Sequence, residues 1–230
     1  EMGIHTGLIK MVPWSYCPQA YIIHDEWNGQ ITTFHPGAMS VSGELSHGNT
    51  LFSHAIVAPD SKEWMIRRMD ECISAWIFTI FDPGQAMGIF SGEELRQMAT
   101  KADITIMNEP EKAQFSAMIW EDVVNICQAF GHTAITTLWE KWSIIESQSS
   151  KIEIPALYTE RVVDATGCGD AFRAGLLYGL SEGWDMRKSG TLGSILWGIK
   201  IASMWGQNHS LDKSKIDEFG EKQFGIKFFD

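Results

Sequence analysis

The sequence lacks the features that mark nucleic-acid-binding, membrane and disulfide-rich proteins. It has no cluster of Lys and Arg, and its net charge of −11 argues against a nucleic-acid or membrane-surface partner. No apolar run is long enough to span a bilayer, and no basic-then-apolar secretion signal opens the chain. The four cysteines are scattered without a CxxC pair, which predicts a reduced, cytoplasmic protein rather than a disulfide framework.

From about residue 53 the pattern alternates between short apolar strands and amphipathic helices. This alternation predicts an α/β protein, a three-layer α/β/α sandwich whose parallel sheet is covered on both faces. No G-x-G-x-x-G segment follows an early strand, which disfavours a Rossmann dehydrogenase. An Asn-Gly pair at residues 28–29 predicts a hairpin between strands at 20–24 and 30–34. The later strands are predicted at 55–58, 77–81, 104–107, 132–138 and 143–146, and the helices at 61–75, 92–101, 119–130 and beyond 170.

Residues 164–170 (DATGCGD) form a glycine-rich turn between a strand expected to end at Val163 and a helix beginning at Ala171. Two glycines at the start of a helix let successive N–H groups point at one spot, to which the helix dipole adds positive potential. Such a turn can bind a phosphoryl group, and Asp170 beside it can accept a proton. The alternative interpretation is an ordinary turn in which Asp170 caps the helix.

The full string DATGCGDAFRAGL, from residue 164, resembles the second signature of the ribokinase/PfkB carbohydrate kinases, closest to bacterial adenosine-kinase-like enzymes. The resemblance implies transfer of the ATP γ-phosphate to a hydroxymethyl group of a nucleoside such as adenosine, or of a sugar. It also implies a ribokinase-like sandwich, with part of a small β lid in residues 1–40 and the kinase core in residues 41–230. The implied catalytic residues are Asp170 as base and the backbone of Gly167, Cys168 and Gly169 as anion hole.

Two further segments agree with this family in the expected order. Asn108 and Glu111 resemble its NxxE motif, which implies that they organise Mg²⁺ through water. Taken alone, Asn108 is as well explained as a helix N-cap. Asp82 lies where many members have an Asp-Pro-Asn motif, and Gly84 departs from that pattern.

The resemblance also implies a nucleotide site and a monovalent-cation site. Residues 137–142 resemble a nucleotide-contacting Thr-x-Gly-x-x-Gly turn, in which Trp139 and Trp142 replace the glycines. The implied nucleotide contacts are Thr137, Trp139, Trp142 and Ser194, together with Asn108 and Glu111. Asp164 and Thr166 match positions that bind a cation, usually K⁺, with further carbonyls near residues 205–206.

Two histidine-containing segments, around His35 and His209, resemble the adenosine-kinase-like branch. Both residues are equally compatible with ordinary surface histidines. Dimers formed through the lid are common in the family, so a homodimer is a further expectation.

The sequence departs from the family pattern in two ways. The first strand and the Gly-Gly-x-x-x-Asn segment that grips the sugar are not found, so we expect the N-terminal strands to be missing. There are 10 Trp against 4 Tyr, and many of these Trp stand where the family has glycine. One hypothesis is that these codons encode glycine in the source organism. The alternatives are drift in a non-functional copy, or large residues that fill a different core. A catalytically inactive nucleotide-binding remnant is therefore the alternative function.

Overall fold

The computed structural model describes residues 6–7, 9, 11–24, 30–41, 52–139 and 141–229. Its strands are β1 (Gln19–His24), β2 (Gln30–His35), β3 (His54–Val57), β4 (Phe78–Phe81), β5 (Ile104–Asn108), β6 (Thr133–Thr137), β7 (Trp142–Glu146) and β8 (Lys151–Pro155). Its α-helices are α1 (Lys62–Ser74), α2 (Gly92–Lys101), α3 (Glu109–Ile119), α4 (Val123–Ala129), α5 (Cys168–Ser181), α6 (Met186–Ile201) and α7 (Lys213–Phe219). Short 3₁₀ segments occupy Gly37–Ser40 and Gly84–Ile89, and one π turn follows α7.

The main sheet has six strands in the order β3-β4-β5-β6-β7-β8. Strands β3 to β6 are parallel, whereas β7 and β8 run antiparallel to their neighbours. β7 alone therefore runs against the other five strands, and the prediction of a wholly parallel sheet is wrong for it. The connection at residues 138–141 is too short for a parallel crossover, which needs a dozen or more residues, so it forms a hairpin.

Neighbouring residues on the central strands bury opposite faces of the sheet, which produces the predicted three layers. One face, with Phe81, Met107 and Ala134, packs against α1 to α4. The other face, with Ile80 and Ile135, packs against α5. The α/β/α sandwich is thereby confirmed. β1 and β2 pair separately as an antiparallel two-stranded sheet.

Helices α5 and α6 cross in close contact because each presents a glycine at the crossing. A Cβ atom added at Gly175 would lie 2.8 Å from the Gly193 backbone, and one added at Gly193 would lie 2.8 Å from the Phe172 carbonyl oxygen. This close approach fixes the position of α5, whose first turn carries the candidate catalytic residues. Within the described parts of the chain, no helix is long and apolar enough to cross a membrane.

Two local predictions differ from the structure, and a third concerns residues that it does not describe. The single helix predicted over 119–130 is divided, because α3 ends at Ile119, Trp120 adopts a left-handed conformation, and α4 begins at Val123. The strand predicted to end at Val163 is not formed, and residues 156–166 are irregular. The hairpin turn at residues 28–29 lies outside the described residues.

Candidate active site

The turn at residues 164–170 leads into α5 with the geometry of an anion site. Gly167, the N-cap of α5, has a φ of 82°, which glycine adopts without strain. Cys168 N–H donates to the Ala165 carbonyl at 3.1 Å. Within the described chain the amides of Gly167, Gly169 and Asp170 donate to no acceptor. Of the three amides predicted to form the anion hole, those of Gly167 and Gly169 are free to bind an anion, whereas that of Cys168 is already hydrogen-bonded. The amide of Asp170 is also free.

The side chain of Asp170 is 78% exposed at the start of α5 and accepts a bond from Arg173 Nη2 at 2.5 Å. Arg173 Nη1 lies 2.9 Å from Asp82 Oδ2, at the carboxyl end of β4. One guanidinium thus joins the candidate base to a carboxylate on the sheet. Because the Asp170 carboxylate faces solvent rather than the core, an acceptor hydroxyl can reach it.

Asp82 is an almost completely buried carboxyl group at 3% exposure. Burial raises the pKa of Asp82 to about 6, although the Arg173 charge opposes the shift; Glu111 and Asp170 raise it further. Two carboxylates, Asp82 and Asp170, therefore contact one guanidinium, and the charge of Glu111 acts on Asp82 at the same edge of the sheet. A titrating carboxyl beside a candidate base is a feature of functional sites.

Asp164 ties the turn to the loop after α6. Its Oδ1 accepts from Thr166 N–H at 2.8 Å and its Oδ2 from Trp205 N–H at 2.8 Å. Burial alone would raise the pKa of Asp164, but these hydrogen bonds and the charge of Lys200 outweigh it and lower that pKa. A Cβ atom added to Gly167 would lie 3.2 Å from the Gly206 Cα, so this loop borders the anion site.

Cys168 is not a nucleophile, although it lies in the middle of the turn. Its side chain is buried, and burial raises the pKa of the thiol to about 11. Its Sγ contacts the carbonyls of Asp164 and Trp197. The residue contributes packing between the turn and α6.

Asn108 and Glu111 form a reciprocal capping box at the start of α3, so the N-cap interpretation of Asn108 is correct. Asn108 Oδ1 accepts from Glu111 N–H at 2.9 Å, and Glu111 Oε2 accepts from Asn108 N–H at 2.8 Å. The described residues contain no group of three or more His, Cys, Asp or Glu suited to a metal ion. A divalent cation here would keep most of its waters, which is the usual behaviour of Mg²⁺.

The residues expected to border the nucleotide meet at one end of the sheet. Thr137 ends β6, and Trp139 lies in the β6–β7 turn with its side chain 56% exposed. The side chain of Trp142 lies outside the described part of the structure. Ser194 is buried in α6 and donates to the Pro155 carbonyl at 2.6 Å, while Ala156 N–H donates to Lys141 O. Ser194 thus positions this end of the sheet, and its hydroxyl is already bonded.

The two histidines differ in environment. His35 is exposed at the end of β2. His209 is half-buried in the loop after α6, and its Nδ1 has no hydrogen-bond partner within the described residues.

Sequence reasoning missed Arg173 and Lys200. Arg173 could have been found from its place one helical turn after Asp170.

Residues 27–212 match the pfkB family of carbohydrate kinases. A nucleoside kinase from Methanocaldococcus jannaschii is 30% identical over 205 residues, which are 89% of this chain and 67% of the relative. A nucleoside kinase from Thermoplasma acidophilum is 27% identical over 85% of this chain and 63% of its own length. The Burkholderia thailandensis nucleoside kinase with inosine superposes with a TM-score of 0.89 and 34% identity, over 98% of this chain and 74% of that one. The chain thus spans roughly two thirds to three quarters of the length of these relatives.

Proposed function

Because the chain belongs to the pfkB family of carbohydrate kinases, we propose that it transfers the γ-phosphate of ATP to a hydroxymethyl group of a nucleoside. The similar Burkholderia enzyme was solved with inosine and with ADP-inosine, which favours a nucleoside over a free sugar. The observation that carries the proposal is the exposed Asp170 carboxylate beside the free amides at the start of α5.

Asp170 acts as general base in the proposed reaction. The acceptor oxygen forms a bond to the γ-phosphorus while the bond from that phosphorus to the bridging oxygen breaks and ADP leaves. The acceptor proton passes to the Asp170 carboxylate. The amides of Gly167, Gly169 and Asp170 and the positive end of the α5 dipole stabilise the migrating phosphoryl group. Positioning and charge stabilisation supply most of the rate.

Thr137 and the turn at residues 138–142 border the nucleotide, with Ser194 behind them. Glu111 would hold Mg²⁺ through water, and its charge acts on Asp82. When bound, Mg²⁺ offsets the negative charge of the nucleotide phosphates. The side chain of Asn108 fixes Glu111 through the capping box.

The β1–β2 hairpin, within residues 1–40, is proposed as part of a lid, and residues 41–230 as the kinase core. Tyr21, Ile23 and Ile31 share one exposed face of the hairpin, and Ile23 pairs with Ile31 across the strands. An exposed apolar face of this kind suits pairing of two copies through the lid. All four cysteines are free, which supports a cytoplasmic location.

The test is ADP release from Mg-ATP with inosine, adenosine, ribose and fructose 6-phosphate offered separately. We expect turnover with a nucleoside, and a loss of at least about 100-fold in kcat for Asp170→Asn with nucleotide binding retained. Glu182→Gln, at the exposed C-terminal end of the same helix, is the matched control and keeps full activity. ATP binding by calorimetry without turnover on any acceptor would instead identify an inactive nucleotide-binding remnant.

A further inference from the structure

Lys200 carries a charged group that is completely buried behind the anion site. The residue is 0% exposed near the end of α6. Its Nζ donates to the Asp164 carbonyl at 2.8 Å and to the Ser203 carbonyl at 3.1 Å, and lies 4.0 Å from Asp164 Oδ2. A buried ammonium is tolerated only where its lost hydration is replaced. Here the two carbonyl oxygens accept hydrogen bonds from Nζ, and the nearby Asp164 carboxylate balances its charge.

The oxygens around Lys200 include those of Asp164, which the sequence analysis assigned to a K⁺ site. Carbonyl and carboxylate oxygens are the ligands that replace water around K⁺. Here the backbone carbonyl of Asp164 already accepts a hydrogen bond from the Lys200 ammonium. The carboxylate oxygens Oδ1 and Oδ2 of Asp164 accept hydrogen bonds from the Thr166 and Trp205 amides. A second cation at the same oxygens would lie within a few ångströms of Nζ and be repelled. The residues therefore do not fit a K⁺ ion at Asp164 and Thr166.

We propose that the Lys200 ammonium takes the place of a monovalent cation in this kinase, so that its activity needs no added K⁺. The proposal rests on the proposed kinase function. Lys200 is a positioning residue, because it holds Asp164 against Ser203. Asp164 in turn fixes the amide of Thr166, at the start of the anion site, and that of Trp205 in the neighbouring loop. The charge that stabilises this arrangement comes from the chain itself.

The test compares ADP release in KCl with release in choline chloride at equal ionic strength. We expect the wild-type rate to change by less than about twofold between the two salts. Lys200→Met should lose at least about tenfold in kcat in choline chloride, because the turn is no longer held in place. KCl or NH₄Cl should restore part of that loss. Lys227→Met, an exposed lysine near the C-terminus, is the matched control and should behave as wild type.

Thermal unfolding in the same two salts gives a readout that does not depend on activity. The melting temperature of Lys200→Met should rise in KCl relative to choline chloride, while that of the wild type should not. Strong K⁺ activation of the wild type, or a Lys200→Met variant with wild-type rate in both salts, would overturn the proposal. If no nucleoside is phosphorylated in either salt, the proposed function fails and the melting experiment still decides the role of Lys200.

A second inference rests on backbone conformation. Among the described residues, every non-glycine residue with positive φ is a tryptophan, at φ values of 55° to 63°. Their side chains are 56% to 95% exposed, so no burial offsets the strain of this conformation. The four residues are Trp76, Trp120, Trp139 and Trp205.

Trp76 shows most directly which residue its position requires. After α1, Trp76 N–H donates to Ile73 O and Ile77 N–H to Cys72 O, a Schellman motif with Trp76 at the left-handed position. The same pair of bonds ends α4 and α5, and there the left-handed residues are Gly131 and Gly183. Trp184 is different, since its ring contacts Tyr178 and Phe228.

We infer that residues 76, 120, 139 and 205 are glycine in the protein as its source organism makes it. The four codons should be identical and should differ from the Trp184 codon, and peptides of the native protein should have the mass of glycine at these positions. Trp76→Gly should stabilise the chain by roughly 1 kcal/mol, whereas Trp184→Gly should destabilise it by about 3 kcal/mol or more. Four codons that match the Trp184 codon, with tryptophan in the native peptides, would overturn the inference.

Discussion

Arg173 in α5 and Asp82 at the carboxyl end of β4 form an ion pair, with 2.9 Å between Arg173 Nη1 and Asp82 Oδ2. Asp82 is nearly inaccessible to water. The pair connects the helix that carries the candidate base to the central sheet. Since the other Arg173 nitrogen binds Asp170, the position of the base depends on a carboxylate distant in sequence.

Replacing Asp82 with Asn should remove part of the pH dependence of folding. The pKa of Asp82 is raised from 3.8 to about 6, mainly by burial. Between these values the folded state binds more protons than the unfolded state, so the free energy of unfolding falls as pH rises through this window. The loss approaches about 3 kcal/mol at most. Denaturant unfolding of wild type and Asp82→Asn from pH 4 to 7 measures it, and equal slopes for the two proteins would refute the prediction.

Replacing Arg173 with Met should lower kcat by roughly 10- to 100-fold with little change in the KM for ATP, because Asp170 loses its positioning partner. Arg173→Lys should retain part of the activity, since it keeps the charge but cannot bridge two carboxylates in the same geometry. Steady-state kinetics of both variants provide the measurement. A variant in which KM rises and kcat is unchanged would show that Arg173 binds substrate instead.

Replacing Gly175 with Ala should destabilise the protein by about 1–3 kcal/mol, because the added Cβ would lie 2.8 Å from backbone atoms of Gly193. Gly88→Ala is the control, because nothing lies within 4 Å of its added Cβ. Urea unfolding of both variants measures the difference. Equal stabilities would mean that the crossing of α5 and α6 can relax.

Replacing Glu111 with Gln should raise the Mg²⁺ concentration needed for half-maximal activity, because one negative charge near the phosphates is lost. Glu109→Gln, an exposed change in the same helical turn, is the control. A Mg²⁺ titration of ADP release at fixed ATP makes the comparison. Unchanged Mg²⁺ dependence in Glu111→Gln would limit Glu111 to its capping role.

The sequence predicted the family, the α/β/α sandwich and most elements, because strand and helix periodicities and a capping box such as Ser91–Glu94 are local signals. The family is confirmed by the match over residues 27–212. The predicted direction of β7 was wrong, because strand direction depends on the length of the connection, and β8 was not predicted. The proposed roles of Asp170, Asn108 and Glu111 remain predictions.

What the sequence could not provide was contact between distant segments. Arg173 lies 91 positions from Asp82 in the chain, and no local pattern joins them. The sequence predicts Lys200 to be a basic residue in the last turn of a helix, where Lys commonly interacts with the helix carbonyls. Only the fold brings its ammonium to Asp164, and with it the reason to reject a K⁺ site there.

The raised pKa of the Cys168 thiol should make the turn at residues 164–170 resistant to oxidation. With a pKa of about 11, only roughly one molecule in ten thousand carries the reactive thiolate at neutral pH. Peroxides and alkylating reagents attack the thiolate, so Cys168 should remain unmodified under conditions that oxidise exposed thiols such as Cys17. The turn can therefore contain sulfur without becoming sensitive to redox conditions.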